Sequence, residues 1–127
     1  MTTPEERSLL DLSVWQVASC GAEPIFPDTI DQFVTAFAPA KFTAEAFYPA
    51  YGMAEYTLLI SLKRHGEVSR VLSLDAQALQ RGAVRDATED ATSRRQVVSC
   101  GRPVCDTVVA IVDPESGRRR GPNVVGE

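Results

Sequence analysis

The apolar positions in the first forty residues predict a helix that follows a short strand. Val14 to Ala18 is mostly apolar and is followed by Gly21, a pattern typical of a strand that ends in a turn. Four apolar residues then fall at the i, i+3, i+4 and i+7 spacing of one helix face: Ile30, Phe33, Val34 and Phe37. Pro27 suits the first turn of this helix and Pro39 its end.

The next apolar block predicts two more strands. We expect a buried strand near Ala46–Tyr48, a tight loop at Pro49–Gly52 and a strand near Tyr56–Leu62. Together with the preceding helix these segments form a βαβ portion with parallel strands around the helix, and Phe33 and Phe37 face the sheet.

The second half predicts mainly β structure with one short helix. Lys63–Glu67 is a polar connection to a strand at Val71–Leu74, and Asp75 is placed to cap a helix over Ala76–Arg81. The charged stretch Arg85–Arg95 predicts an exposed loop. Two further strands are predicted at Gln96–Ser99 and Thr107–Val112. The fold class is therefore α/β, a βαβ portion followed by a mainly β portion.

Composition excludes several classes of protein. In 127 residues, 44% are hydrophobic and 24% charged, which argues against disorder along the whole chain. A net charge of −4 argues against a nucleic-acid partner, and no apolar run reaches the roughly 18 residues of a membrane span. The first residues lack the order of a signal peptide, so we expect a cytoplasmic protein.

The three cysteines do not predict a disulfide scaffold or a zinc site. Cys20, Cys100 and Cys105 are scattered, and a structural zinc ion needs about four ligands where the chain offers a single histidine, His65. We expect buried or half-buried thiols.

Two short segments carry candidate chemistry. Gly21–Pro24 has little side-chain bulk, so a flat ligand could lie against its backbone. Tyr48–Glu55 places an aromatic ring, a glycine and a carboxylate close together, which suits stacking, close backbone approach and a metal or hydroxyl ligand. Taken alone, the spacing favours a tyrosine-rich core turn with a surface glutamate.

In order and spacing, these and three later segments resemble the adenylate-forming enzymes, specifically the fatty acyl-AMP ligases. The resemblance covers essentially the whole chain. Its motifs are Trp15–Pro24, Tyr48–Glu55, Leu74–Gly82, Ser99–Pro103 and Ala110–Pro114. It implies the partial fold of an adenylate-forming enzyme that binds ATP or AMP and Mg²⁺ and uses ATP to convert a long-chain fatty acid to an acyl adenylate. The acyl group then passes to an acyl carrier protein or polyketide synthase.

The resemblance also assigns roles to residues. The adenine is expected between Gly21–Glu23 and Tyr51, the α-phosphate and acyl carbonyl near Gly52–Ala54, and magnesium at Glu55. The implied nucleotide-binding set is Gly21, Ala22, Glu23, Pro24, Tyr51, Gly52, Met53 and Ala54. Two positions depart from the family pattern: Cys20 stands where asparagine is common, and Ala50 where cysteine is frequent.

Several parts of the family's machinery are missing from the chain, so no catalytic residue is assigned. We find no phosphate loop, and the ribose-binding aspartate and catalytic lysine would follow residue 127. We therefore expect residues 1–127 to be an internal piece of the large AMP-binding domain, inactive when isolated. Within it, 14–62 is the adenine-site βαβ segment, 63–95 resembles the insertion typical of acyl-AMP ligases, and 96–127 is a β segment cut at its C-terminus.

Three alternatives remain open at this stage. The chain could be a piece of a long-chain fatty acyl-CoA synthetase. It could also be a non-catalytic module that binds AMP-like nucleotides, or an interaction protein that completes the sheet of a complementary enzyme fragment.

Overall fold

The computed structural model describes residues 2–90 and 93–127. Its helices and strands, in chain order, are α1 Pro4–Ser8, β1 Ala18–Cys20, α2 Pro27–Phe37, β2 Phe47–Met53, β3 Leu58–Leu62, β4 Val71–Asp75, α3 Ala76–Gln80, β5 Arg94–Val98 and β6 Arg102–Pro103. Short 3₁₀ turns lie at Ala38–Ala40, Ala44–Ala46 and Ala54–Tyr56. The strands form a four-stranded sheet of order β1-β2-β3-β6 and a two-stranded sheet of β4 and β5.

The βαβ portion is present as predicted. Strands β1 and β2 are parallel, with Ala18 opposite Phe47, and α2 is the helix between them. The helix follows the predicted bounds, since it begins at Pro27 and ends at Phe37. A 3₁₀ turn containing Pro39 follows it, and Lys41 then adopts a left-handed backbone conformation that ends the turn.

An aromatic cluster joins α2 to the sheet. The ring centroid of Phe33 lies 5.2 Å from that of Phe42 and 5.7 Å from that of Phe47, both edge to face. Phe33 also packs on Phe37 at 4.7 Å. Edge-to-face aromatic pairs add to the free energy gained by burying the rings. The predicted orientation of Phe33 and Phe37 toward the sheet is therefore confirmed, and this cluster with Ile30 forms the core of the molecule.

Strand β1 is shorter than the apolar pattern predicted. The first residue of β2, Phe47, pairs with Ala18. Residues Val14 to Val17 therefore have no partner in β2 and are not in a strand. The indole Nε1 of Trp15 instead donates a hydrogen bond to the carbonyl oxygen of Val17 at 2.8 Å.

The predicted loop at Pro49–Gly52 is wrong, because these residues lie inside β2. The chain reverses later, at Ala54–Tyr56 and Thr57, before β3 returns antiparallel to β2. Thr57 and Leu58 both have positive φ angles, and this left-handed backbone makes the turn without a glycine. Pro49 and Gly52 suggested a turn at these positions, but both lie within β2, and Pro49 is fully buried there.

The second half keeps the predicted helix but differs in its strands. Asp75 caps α3 by accepting hydrogen bonds from the backbone N–H groups of Gln77 and Ala78 at 2.8 and 3.0 Å. The hydrogen bond from Ala78 is the main reason that the pKa of Asp75 is lowered. Strand β5 begins at Arg94, so the exposed loop is shorter than the predicted 85–95, of which 91–92 lie outside the described residues.

The strand predicted at Thr107–Val112 is not found. Only Val112 makes a bridge, to Arg119, and Val108 to Ile111 lie exposed. An apolar, β-branched run becomes a strand only where a neighbouring backbone pairs with it. Here only Ile111 and Val112, at the end of the run, exchange backbone hydrogen bonds with distant residues, Arg120 and Glu127. In the described residues, no helix is both long and apolar enough to cross a membrane.

The aromatic cluster makes a prediction about stability. Replacing Phe33 with alanine should lower the free energy of unfolding by about 3 kcal/mol, because the ring touches three others and leaves a cavity. Phe26→Ala is the matched control: Phe26 is exposed, so the change should stay within about 0.5 kcal/mol. Urea unfolding of both variants measures the difference, and equal effects would contradict the proposed core.

Candidate functional site

The candidate site lies where the loop after β1 meets β2. Parallel pairing places Cys20 opposite Pro49, so Gly21 comes beside Ala50. A Cβ atom on Gly21 would lie 2.8 Å from the carbonyl oxygen of Ala50. The absence of a side chain at Gly21 therefore lets the loop lie directly against the strand.

Ala22 turns the loop away from the sheet. Its φ angle is +70°, in the left-handed region that costs a residue with a Cβ atom about 1–2 kcal/mol. Strained backbone of this kind is concentrated at ligand-binding sites. The turn directs Glu23 and Pro24 along the edge of a surface cavity.

This cavity brings together residues from both predicted segments. Its volume is about 480 Å³, within the range of small-molecule sites. From the predicted set it is lined by Ala22, Glu23, Pro24, Tyr51 and Gly52. A neighbouring depression of about 330 Å³ shares Ala22, Tyr51 and Gly52 and adds Gly21. The two segments that the sequence singled out therefore form one surface.

The two tyrosines of β2 have different surroundings. Tyr48 is only 3% exposed, and its hydroxyl lies 2.9 Å from Nδ1 of His65. Tyr51, by contrast, is 49% exposed and lines the cavity. Its ring offers an apolar face that is available to a flat ligand.

The side chain of Lys63 contacts the start of β2 and the residues just before it. Its Nζ donates hydrogen bonds to the carbonyl oxygens of Glu45 and Glu67 at 2.6 and 2.5 Å and lies 3.7 Å from the ring centroid of Tyr48. The side chain is 7% exposed, and this burial lowers the pKa of the ammonium group, against the opposing effect of the Glu45 and Glu67 carboxylates. The segment expected to be a polar connection thus contains a buried lysine. Its burial is compensated because two carbonyl oxygens and the ring of Tyr48 interact with the ammonium group.

Three of the predicted residues lie away from the cavity. Met53 and Ala54 are exposed but line neither depression at Tyr51. Glu55 lies in the 3₁₀ turn after β2 and lines a separate depression with Tyr56 and Cys105. The structure therefore separates the residues expected to contact adenine from the carboxylate expected to bind a metal.

The opposite wall of the cavity was not predicted. It comes from β5 and from Cys100 after it, with further contacts from the two residues that precede α2. These residues are Ile25, Phe26, Arg95, Gln96, Val97, Val98 and Cys100. The sequence predicted a strand here, but its position relative to the Gly21–Pro24 loop depends on the tertiary fold.

The cavity wall contains one thiol and two polar side chains from β5. Burial, with a smaller effect from Cys20, raises the pKa of Cys100, so its thiol stays protonated near neutral pH and is a poor nucleophile. Arg95 and Gln96 are exposed and provide hydrogen-bond donors facing the cavity.

The described residues contain no group of three or more histidine, cysteine, aspartate or glutamate side chains that could hold a metal ion. A single carboxylate nevertheless fits Mg²⁺ chemistry in nucleotide sites, where one or two carboxylates act together with substrate phosphates and water. Glu55 is exposed and can serve in that way.

Comparison with known proteins identifies the family. The sequence profile of the family described as "AMP-binding enzyme" matches residues 2–127. The chain belongs to this family. The resemblance noted from the motifs is thereby confirmed.

Two curated relatives have specific names. The chain is 48% identical over 128 residues to the medium-chain-fatty-acid–[acyl-carrier-protein] ligase JamA of Moorena producens (strain JHB), covering 99% of this chain and 22% of the relative. It is 42% identical over 119 residues to the corresponding ligase TtuA of Teredinibacter turnerae (strain ATCC 39867 / T7901), covering 93% of this chain and 18% of the relative. The chain thus spans about a fifth of the length of these relatives.

Solved structures of the same kind share the fold. A fatty acyl-adenylate ligase from L. pneumophila, in complex with acyl adenylate and pyrophosphate, matches with a TM-score of 0.89 and 36% identity over 98% of this chain and 22% of the other. A structure from a study of fatty acyl-adenylate ligases of E. coli and L. pneumophila matches with a TM-score of 0.91 and 29% identity over 98% and 22%. The predicted α/β class and its relation to the adenylate-forming enzymes are confirmed.

The approach of β3 to β2 makes Gly52 a sensitive position. A Cβ atom at Gly52 would overlap the carbonyl group of Leu58, so Gly52→Ala should lower the free energy of unfolding by about 2–3 kcal/mol. Gly121→Ala is the matched control, because no atom lies within 4 Å of its Cβ position, and its effect should stay within about 0.5 kcal/mol. Midpoints of urea unfolding compare the two, and a Gly52 variant as stable as the control would contradict the strand pairing described here.

Proposed function

We propose that this chain is the adenine-binding segment of an enzyme that activates a fatty acid with ATP and passes the acyl group to an acyl carrier protein. The observation that carries the proposal is the shared cavity of Ala22–Pro24 with Tyr51 and Gly52. Glycine and alanine at the loop leave room for a flat base, and the exposed Tyr51 ring can stack on it.

The relatives support the class of substrate. JamA and TtuA are both named for medium-chain fatty acids and an acyl carrier protein. A putative acyl-CoA synthetase of Caulobacter vibrioides (strain NA1000 / CB15N) is less similar, at 36% identity. We therefore favour a carrier protein over coenzyme A as the acyl acceptor.

In the proposed reaction, the fatty acid carboxylate attacks the α-phosphorus of ATP and pyrophosphate leaves. The residues of this chain bind and orient the nucleotide: Tyr51 stacks on adenine, the Gly21–Pro24 loop borders it, and Gly52–Ala54 lie toward the α-phosphate. Glu55 would hold magnesium, whose charge neutralises the phosphate oxygens. No residue of the chain is assigned as catalytic.

A chimera tests the adenine site in a complete enzyme. The 127 residues would replace the matching segment of JamA, and fatty-acid-dependent ATP–pyrophosphate exchange would be measured. We expect exchange in the chimera, and we expect Tyr51→Ala to reduce its kcat/KM for ATP by about 5- to 150-fold, the equivalent of one lost stacking contact. Leu9→Ala is the control, because Leu9 is 86% exposed and lines neither the adenine cavity nor the depression at Glu55, and its effect should stay within about twofold.

Two results would contradict the assignment. One is a folded chimera, with a single symmetric peak in gel filtration, that shows no exchange. The other is a Tyr51 variant as active as the Leu9 control.

The isolated chain should bind nucleotide weakly. A stacked base contributes about 1–3 kcal/mol, whereas a millimolar dissociation constant already requires about 4 kcal/mol. We therefore expect no pyrophosphate exchange from the isolated chain and AMP binding of millimolar strength or weaker by ligand-observed NMR. Micromolar binding that persists in Tyr51→Ala would show that AMP binds elsewhere.

A further inference from the structure

The first residues of β2 pair with a strand on one side only. Strand β1 pairs with residues 47–49, whereas the antiparallel pairing with β3 begins at Ala50, opposite Leu62. Within the described residues, no strand other than β1 pairs with 47–49. Pro49 also has no backbone N–H group to donate to a neighbour. The stretch that leads into Tyr51 therefore depends on contacts other than strand pairing on its β3 side.

The connection that follows β3 supplies such contacts through its side chains. Nζ of Lys63 donates a hydrogen bond to the carbonyl oxygen of Glu45, just before β2, at 2.6 Å. The hydroxyl group of Ser69 donates a hydrogen bond to the carbonyl oxygen of Phe47 at 3.2 Å. Both contacts join this connection to the backbone at the beginning of the strand.

Tyr48 is contacted by two further side-chain groups of the same connection. Its hydroxyl lies 2.9 Å from Nδ1 of His65, and Nζ of Lys63 lies 3.7 Å from its ring centroid. Burying an ammonium group is unfavourable unless its hydrogen bonds and charge are compensated, so these contacts favour one arrangement of the ring and the carbonyl groups. We call the side chains of Lys63, His65 and Ser69 the 63–69 clamp.

The 63–69 clamp does not contact the candidate site directly. None of its side chains lines either depression at Tyr51. Tyr48 and Tyr51 are three positions apart in one strand, so their side chains lie on opposite faces, one buried and the other half exposed. Any influence of Lys63 on the ring of Tyr51 must therefore pass through the backbone of β2.

We propose that the 63–69 clamp positions Tyr51 for the nucleotide by fixing the backbone of β2, and that Lys63 is its main positioning residue. Lys63 makes three of the contacts, and each of the other two side chains makes one. A ring that is already held in place loses less conformational entropy when a base stacks on it. The proposal rests on the proposed function, because that function supplies the nucleotide.

Steady-state kinetics of the JamA chimera test the role of Lys63. Lys63→Met keeps the length of the side chain but removes its donors and charge. We expect the KM for ATP to rise about 3- to 10-fold, the equivalent of one lost hydrogen bond, with kcat within about twofold, because Tyr51 contacts the base and not the reacting atoms. Asp113→Ala is the matched control: it also removes two hydrogen bonds to the backbone, but in a turn that lines neither depression at Tyr51, and KM should stay within about twofold.

A double-mutant cycle separates positioning from general stability. In a chimera that already carries Tyr51→Ala, Lys63→Met should change the KM for ATP by no more than about twofold, because the ring that it positions is gone. A residue that only stabilised the chain would raise KM by the same factor in both backgrounds.

Hydrogen–deuterium exchange in the chimera without nucleotide gives a readout that does not depend on activity. Lys63→Met should raise backbone amide exchange over residues 47–51 about fivefold or more and leave α2 unchanged. If Lys63→Met does not fold, two milder variants replace it. Tyr48→Phe keeps the ring and loses the contact with His65, and Ser69→Ala loses one hydrogen bond. Each should raise KM for ATP about two- to fivefold.

Three results would overturn the proposal. The Lys63 variant could have the same KM for ATP as the Asp113 control, the two effects in the cycle could be fully additive, or amide exchange over 47–51 could be unchanged. A Tyr51→Ala chimera as active as the Leu9 control would instead overturn the proposed function, and amide exchange alone would then decide whether the 63–69 clamp fixes β2.

Discussion

The candidate site depends on the close parallel approach of β1 to β2. Gly21 permits this approach, because any side chain there would press on the carbonyl oxygen of Ala50. The same pairing places the start of β2 over the aromatic cluster of α2, where Phe47 meets Phe33. One backbone contact thus connects the core of the βαβ portion with the surface where Ala22 and Tyr51 meet.

Strand β2 is held differently on its two halves. At its start, Lys63 donates hydrogen bonds to two carbonyl groups and contacts the ring of Tyr48. These contacts restrain the backbone on the N-terminal side of the candidate site. At its end, the register with β3 shifts between Tyr51 and Gly52, and the strand continues into an exposed turn. The irregular second half of β2 exposes the ring of Tyr51 next to Gly52, where the backbone of β3 approaches closely.

The sequence predicted what local periodicity controls. The α2 helix followed from the spacing of Ile30, Phe33 and Phe37, and the α3 helix from its Asp75 cap. The hairpin was placed wrongly because its turn uses left-handed Thr57 and Leu58, whose side chains give no such signal. The strand at 107–112 and the cavity wall from β5 depend on which backbones meet, and residue patterns do not encode that pairing directly. For the site, the motifs identified the Gly21–Pro24 loop and Tyr51, but not Arg95, Gln96 or Cys100.

The separation of Tyr51 from Glu55 restricts what a shared ligand can be. The two residues are four positions apart, which is about 13 Å at most along an extended backbone, and they line different depressions. A nucleobase stacked on Tyr51 would occupy only one of these depressions, whereas a nucleotide carries a flat ring at one end and phosphate oxygens at the other. A magnesium ion at Glu55 would also need those oxygens, since the described chain offers no cluster of three ligands. If Glu55 binds the metal as proposed, the metal should therefore enter with the phosphates and not before them.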